Sequence, residues 1–228
     1  MTKEVKLVRI ENGIPAERTE PVAAEHTVKL YVNGESRAIL TFSPQCVEEL
    51  VLGHLLSSGV IRDAGDVAQI TQDGESVYAE TSCGEVLLSP VLDGLSLPLT
   101  VILSHMEEFL RKSEVFFATG AVHSCALIAN GRLMHFMEDI GRHNAFDKTV
   151  GAALRDKTPL GQAAVLTSGR VPCDMMTKII RARVQIVVSR SAPTDAAVDL
   201  ALRHNVTLCG FARGNRINIY TGRDRITL

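Results

Sequence analysis

Ala163-Ala164-Val165-Leu166-Thr167-Ser168-Gly169-Arg170-Val171-Pro172 is the stretch from which the fold class follows. A short apolar run stops at a polar, glycine-bearing turn, and Pro172 then opens a helical segment over residues 172–183. Residues 184–189 repeat the apolar run, 194–204 the helix, and 207–211 the run again, with a last strand expected over 217–220. Strands alternating with helices call for a mostly parallel α/β sheet. Upstream, residues 115–119 read as a strand ending at Gly120, and residues 124–129 and 132–138 as a hairpin across Asn130-Gly131. The first half reads differently. Hairpins are expected at Asn33-Gly34 and Asp73-Gly74, and a helix after Pro44 carries Val47, Leu50, Val51 and Leu55 to a stop at Gly59. Residues 94–98 are linker-like, and Thr100 is expected to cap a helix carrying Val101, Met106, Phe109 and Leu110. Composition changes after Lys112, so residues 1–112 read as a smaller α+β domain and 113–228 as the α/β domain.

Composition narrows the function. With 24 Lys and Arg against 26 Asp and Glu, 228 residues can bury a real core but offer no basic surplus for duplex nucleic acid. Trp is absent and aromatics are 4%, too few for a base-stacking surface. No apolar run approaches the ~20 residues a bilayer requires. The first twelve residues alternate charged and apolar side chains and do not read as a signal peptide. Cysteines at 46, 83, 125, 173 and 209 form an odd, scattered set, so free thiols in a reducing cytoplasm are expected.

In open α/β sheets, ligands bind beyond the carboxyl ends of the strands. Four loops fall there: Thr119-Gly120 with His123; Ser168-Gly169-Arg170; Arg190-Ser191-Ala192-Pro193-Thr194; and Gly210 leading to Arg213-Gly214-Asn215-Arg216. Together they describe a cationic, amide-lined cleft for a phosphate-bearing ligand; separately they are also explained by helix capping and solvated arginines. Glu138-Asp139-Ile140-Gly141-Arg142-His143-Asn144-Ala145-Phe146-Asp147-Lys148 precedes a helical period of Phe146, Val150, Ala153 and Leu154. A His and an Arg at such a helix start suit phosphate binding, proton transfer or a metal, with a capping and ion-pair cluster as the alternative. Cys46, Cys125 and Cys209 lie in apolar contexts that suggest core packing, and Cys173 follows Pro172 at a helix start. Cys83, in Glu80-Thr81-Ser82-Cys83-Gly84-Glu85, has the polar surroundings of an exposed thiol suited to sulfur chemistry.

These segments carry a resemblance. Phe117-Ala118-Thr119-Gly120-Ala121-Val122-His123, the Glu138 to Lys148 block, Ser168-Gly169-Arg170, Ser191-Ala192-Pro193-Thr194 and Gly210-Phe211-Ala212-Arg213-Gly214 with Asn218-Ile219-Tyr220-Thr221 resemble, in order and spacing, the FdhD family. Its members are accessory sulfurtransferases of formate dehydrogenase. The resemblance covers residues 115–228 and extends more loosely through 44–59 and Ser82-Cys83-Gly84. It implies a cytidine-deaminase-like mixed sheet with helices on both faces, a smaller α+β N-terminal domain, and a homodimer. It implies that Cys83 takes persulfide sulfur from a cysteine desulfurase. The sulfur passes to the molybdenum or tungsten of a bis-pterin guanine dinucleotide cofactor, bound as substrate, for delivery to formate dehydrogenase. The nucleotide end is then expected against Thr119, Gly120, His123, Glu138, Arg142 and His143. Asn144, Ser168, Gly169, Arg170, Ser191 and Arg213 complete that expected set. No permanently bound metal, nucleic acid or membrane partner is expected.

One position departs from the family pattern. Where the family shows Cys-Gly-x-Cys-Gly, this chain has Cys83-Gly84-Glu85-Val86-Leu87, so the second thiol is missing. A non-catalytic chaperone that binds the cofactor without moving sulfur is therefore the runner-up. A zinc deaminase-like hydrolase is disfavoured: Pro172-Cys173-Asp174-Met175-Met176 puts a thioether where the second ligand thiolate belongs, and Asn144-Ala145 follows His143 in place of Ala-Glu.

Overall fold

The computed structural model describes residues 1–92 and 94–228. It begins with a hairpin of β1 (Thr2–Glu11) and β2 (Ile14–Ala23), turning at Asn12 and Gly13 with positive φ at both. A four-stranded sheet follows, ordered β4-β3-β6-β5. It is built from β3 (His26–Val32), β4 (Glu35–Phe42), β5 (Val67–Asp73) and β6 (Ser76–Thr81). The turns at Asn33-Gly34 and Asp73-Gly74 fall where the sequence places them. Between β4 and β5 runs α1 (Val47–Ser58), closed by Gly59 at φ 80°.

β7 (Leu97–Pro98), α2 (Leu99–Arg111) and α3 (Glu114–Thr119) lead to the second half. There, β8 (His123–Ala129) and β9 (Arg132–Asp139) form the expected hairpin, followed by α4 (Arg142–Arg155), β10 (Ala164–Thr167), α5 (Cys173–Arg181), β11 (Ile186–Ser189), α6 (Asp195–Arg203), β12 (Thr207–Arg213) and β13 (Arg216–Ile219). The six-stranded sheet has the order β13-β12-β11-β10-β8-β9. β14 (Ile226–Thr227) pairs with β7. No helix among the described residues is long and apolar enough to cross a membrane.

Three expectations are corrected. The sheet is mixed: only β10–β11 and β11–β12 are parallel, because hairpins add β9 beside β8 and β13 beside β12 in antiparallel sense, and β8 itself runs antiparallel to β10. Residues 115–119 belong to a helix. Although Val115-Phe116-Phe117 favours a strand, the Glu138 carboxylate accepts the N–H groups of Val115 and Phe116, each at 3.2 Å, and Gly120 ends the turn at φ 67°. Thr100 lies inside α2, whose N-cap is Pro98.

Strand alternation divides the core. Cys125, Leu127, Val165, Val187 and Leu208 point to α1, α4, α5 and α6 and, through α1, to the inner face of the four-stranded sheet. Their neighbours Ala126, Ile128, Ala164, Leu166, Val188 and Cys209 point the other way, onto Ile102, Met106 and Phe109 of α2. Both faces of the central strands are thus dry, which is why they read as unbroken apolar runs. The helices α1 and α4 touch backbone to backbone. A Cβ on Gly53 would lie 1.8 Å from Asp147 O, and one on Gly151 1.8 Å from Glu49 O, so neither position admits a side chain. Asp147 is fully buried in this seam, where it accepts from Ser57 Oγ at 2.7 Å and pairs with Lys178, with His54 Nδ1 3.5 Å away.

Candidate functional site: a cationic cleft and a separate thiol

Strand register brings the expected loops to one edge. His123 faces Asp139, Cys125 faces Thr167, Thr167 faces Ser189, and Val188 faces Cys209. The start of β8, the ends of β9, β10 and β11 and the Cys209-Gly210 part of β12 therefore lie together. The backbone there is cross-braced: Arg190 N–H donates to Thr167 O (3.0 Å), Val171 N–H to Ala192 O (3.1 Å) and Phe211 N–H to Ser191 O (3.0 Å). Ser168 Oγ accepts from Ser124 N–H at 2.9 Å and lies 3.4 Å from His123 Nδ1.

Gly169 is the floor of this edge. A Cβ there would stand 3.0 Å from Arg142 Cβ and 3.4 Å from His123 Nδ1, so the absence of a side chain lets both basic groups close over the β10 turn. Arg142 is the first residue of α4, and its Nε is buried with no hydrogen-bond partner among the described residues. His143 Nε2 is 3.1 Å from Asp174 Oδ2 at the start of α5. Burial, then the charges of Arg142, Arg170 and His143, hold the His123 pKa below its ordinary value. Burial also lowers that of His143, with Arg142 and Lys178 adding to the effect and Asp174 opposing it. His123, Arg142, His143 and Arg170 thus form a basic group close enough to repel one another, an arrangement an anion relieves.

Other expected residues are engaged within the fold. Thr119 Oγ1 donates to Val115 O at 2.7 Å and accepts from Ala121 N–H at 3.2 Å, closing α3, and Gly120 is exposed beyond it. Glu138 caps α3; burial raises its pKa against the two backbone donors. Asn144 Nδ2 donates to Thr41 O at 2.7 Å and to Asp139 Oδ1 at 3.0 Å. Ser191 lies in the braced loop after β11, and Arg213 is exposed at the end of β12. Sequence reading missed the role of Asp139 and Lys148, which knot this edge to Ser43; a lysine inside an otherwise apolar helical period was the available signal.

Cys83 lies elsewhere. It lines an open cleft of about 660 Å³ with Val32, Asn33, Arg37, Gly59 and Thr81, sharing none of the residues of the cationic edge. The other thiols divide clearly. Burial pushes Cys125 and Cys209 each up to about 12, and burial followed by Glu49 raises Cys46. Cys173 is exposed at the start of α5, and Met176 is fully buried where a zinc site would need its second thiolate. Among the described residues, no three His, Cys, Asp or Glu side chains gather as a metal would require.

The depressed histidines predict a pH effect. In the unfolded chain each titrates near ~6.5, in the fold lower, so as pH falls through that window the unfolded state takes up protons first. Stability from these groups is complete above ~6.5 and lost below it. The melting temperature should fall between about pH 7 and about pH 5.5, and His123→Gln should flatten that slope. An unchanged slope would mean that His123 titrates normally.

Comparison with known proteins adds the following. The model of the FdhD/NarQ family matches residues 23–88 and 84–227. The chain is 33% identical to the sulfur carrier protein FdhD of Listeria innocua, over 97% of each chain. It is 34% identical to that of Sulfurisphaera tokodaii, over 98% of each. A crystal structure named as a formate dehydrogenase accessory protein of Desulfotalea psychrophila superposes with a TM-score of 0.89, at 32% identity over 99% of both chains.

Proposed function

The chain belongs to the FdhD/NarQ family, and from that premise we propose that Cys83 carries persulfide sulfur to a metal–pterin whose nucleotide end binds the cationic edge. It is a sulfur carrier protein serving formate dehydrogenase. The donor is a cysteine desulfurase, and the acceptor is the molybdenum or tungsten of a bis-pterin guanine dinucleotide, bound as substrate. The resemblance also supports a cytidine-deaminase-like unit over residues 113–228, a smaller unit over 1–112, a homodimer and a cytoplasmic location.

The observation that carries the nucleotide reading is Arg142. Its buried, unpartnered Nε, pressed over Gly169 among three further basic side chains, is a donor awaiting an acceptor. Phosphate oxygens suit it, and Arg170 adds a second cation. Guanosine diphosphate should therefore raise the melting temperature with concentration, by the equivalent of about 2.7 kcal/mol at a hundredfold excess over Kd. Adenosine diphosphate should do less, and Arg170→Ala should weaken the effect. Equal shifts with both nucleotides would reduce the site to a generic phosphate site, and no shift with either would remove it.

Cys83 and this edge line different surfaces, so delivery requires the Cys83 loop to leave its rest position. Release breaks the backbone bonds of Ser82 N–H to Asp66 O at 2.9 Å and Val86 N–H to Gly59 O at 2.8 Å, and the Ser82 Oγ bond to Asp66 O at 3.4 Å. The chaperone reading rests on Val86, which leaves the loop one thiol. Mass spectrometry without reductant, after incubation with a cysteine desulfurase and cysteine, separates the two. A one-sulfur mass increase mapped to Cys83 supports the carrier, and an unmodified Cys83 leaves only cofactor binding.

A further inference from the structure

The segment that carries Cys83 is seated by a residue far from it in the chain. Cys83 lies between two backbone pins, Ser82 N–H to Asp66 O and Val86 N–H to Gly59 O. Gly59 closes α1 at φ 80° and lines the Cys83 cleft. The space over it, where a side chain would stand, is shared. A Cβ on Gly59 would lie 3.0 Å from Nε and Cζ of Arg181 and 3.0 Å from Val86 O. The Arg181 guanidinium and the Val86 carbonyl therefore meet over a bare glycine. Arg181 is the last residue of α5, and its Nη1 donates to Ser57 O at 3.3 Å. α1 has no basic residue in its last turn, so the cation that favours its C-terminus comes from α5. The helix that presents this cation is fixed: Met176, Ile179 and Ile180 are buried, and Lys178 pairs with Asp147 in the α1–α4 seam. Arg181 Nε is itself buried with no hydrogen-bond partner among the described residues, so a donor is left over where the loop backbone passes.

We propose that Arg181 is the latch of the Cys83 loop: a positioning residue that seats Val86 over Gly59 and so keeps Cys83 in its cleft for sulfur uptake. The proposal rests on the reading of Cys83 as the carrier. Arg181 acts through Gly59 and Val86 and has no part in the sulfur chemistry itself. Its hold on the loop is packing and the attraction of a cation for a carbonyl dipole, added to one backbone hydrogen bond. Such a hold is worth far less than the global stability of a domain, so the loop opens locally while the fold around it stays closed. That is what a carrier loop requires, since the same segment must leave its seat for delivery to the cationic edge. Val86 stands where the family pattern has its second thiol, so in this chain that position anchors the loop.

The test uses the full chain with Arg181→Met, which keeps the stem and removes the charge, and Arg181→Lys, which keeps a cation. Hydrogen exchange read by mass spectrometry compares the peptide covering residues 82–87 with one covering β10, a central strand of the six-stranded sheet. Persulfide loading of Cys83 by a cysteine desulfurase and cysteine is timed on the same samples. Arg181→Met is expected to speed exchange of the 82–87 peptide roughly tenfold, the loss of about one contact to a charged group, and to leave β10 unchanged. Loading at low donor concentration should slow by roughly three- to tenfold, because the thiol is no longer held in place for the donor. Arg181→Lys should recover most of both effects. Gly59→Ala keeps the charge and wedges the shared space, so it should loosen the same peptide and serves if Arg181→Met does not fold. Unchanged exchange of the 82–87 peptide in folded Arg181→Met would overturn the proposal. Equal acceleration of β10 would also overturn it, since Arg181 would then be a general stabiliser, and so would loading at the wild-type rate. If wild-type Cys83 never accepts sulfur, the carrier reading fails instead, and the exchange arm still decides whether Arg181 seats the loop.

Discussion

Cys83→Ala is expected to abolish formate dehydrogenase maturation in a strain that lacks its own carrier, while leaving the protein folded. Cys83 is half-buried at the mouth of an open cleft, on a loop held by two backbone bonds, so its removal leaves no core cavity. Sulfur transfer requires an accessible thiolate. Cys125 and Cys209 fail on both counts, being buried and pushed up to about 12, and Cys46 is raised in the same direction. Replacing Cys209 by alanine should therefore cost only packing, on the order of 1 kcal/mol. Formate dehydrogenase activity and a thermal melt, measured on each variant, check both halves. Full activity with Cys83→Ala would end the carrier assignment of that residue.

The second large effect is on folding. Lys148→Met should destabilise the protein by about 3–5 kcal/mol, because it strands a buried carboxylate. The side chains of Lys148 and Asp139 are 1% and 0% exposed and 2.6 Å apart. Lys148 Nζ also donates to Ser43 O at 2.8 Å, while Asp139 accepts from Ser43 N–H at 3.0 Å and Gly141 N–H at 2.9 Å. Lys148 further lies 5.3 Å from the centroid of the Phe42 ring. This knot ties the end of β4 to the start of α4, the turn that presents Arg142 and His143. Urea denaturation measures the loss, and guanosine diphosphate binding at a temperature where the variant stays folded measures its effect on the site. A loss below about 1 kcal/mol would show that the pair is not the lock described here.

Much of the architecture was legible because its signals are local. Asn33-Gly34, Asp73-Gly74 and Asn130-Gly131 each open a hairpin, since Asn33, Gly34, Gly74, Asn130 and Gly131 adopt left-handed turn conformations at little cost. Asn12-Gly13 carried the same signal and was passed over, because the exposed strands around it show no buried face to fix a period. The helices after Pro44 and Pro172 ran close to their expected lengths. Residues 115–119 went wrong for the opposite reason. Their β-favouring side chains were overruled by a carboxylate supplied from β9, 23 positions away from Val115 in the chain.

The candidate site divides in the same way. By itself, the sequence determined which residues are candidates for chemistry: the basic, glycine-bearing loops at the strand ends and the one thiol in a polar setting. Those are properties of residue type and spacing. Only the tertiary structure decided the company each keeps. Glu138 caps α3, Asn144 is tied to the Thr41 carbonyl, and Asp139 and Lys148 lock the edge. Asp66, paired with Arg62, stands against Ser82 because β6 returns its end to the turn before β5. Such pairings are made by sheet register and by helix seams such as that between Gly53 and Gly151, where distances of a few ångströms join residues about a hundred positions apart. Electrostatic and hydrogen-bond energies depend on those distances, and no local pattern in the chain encodes them.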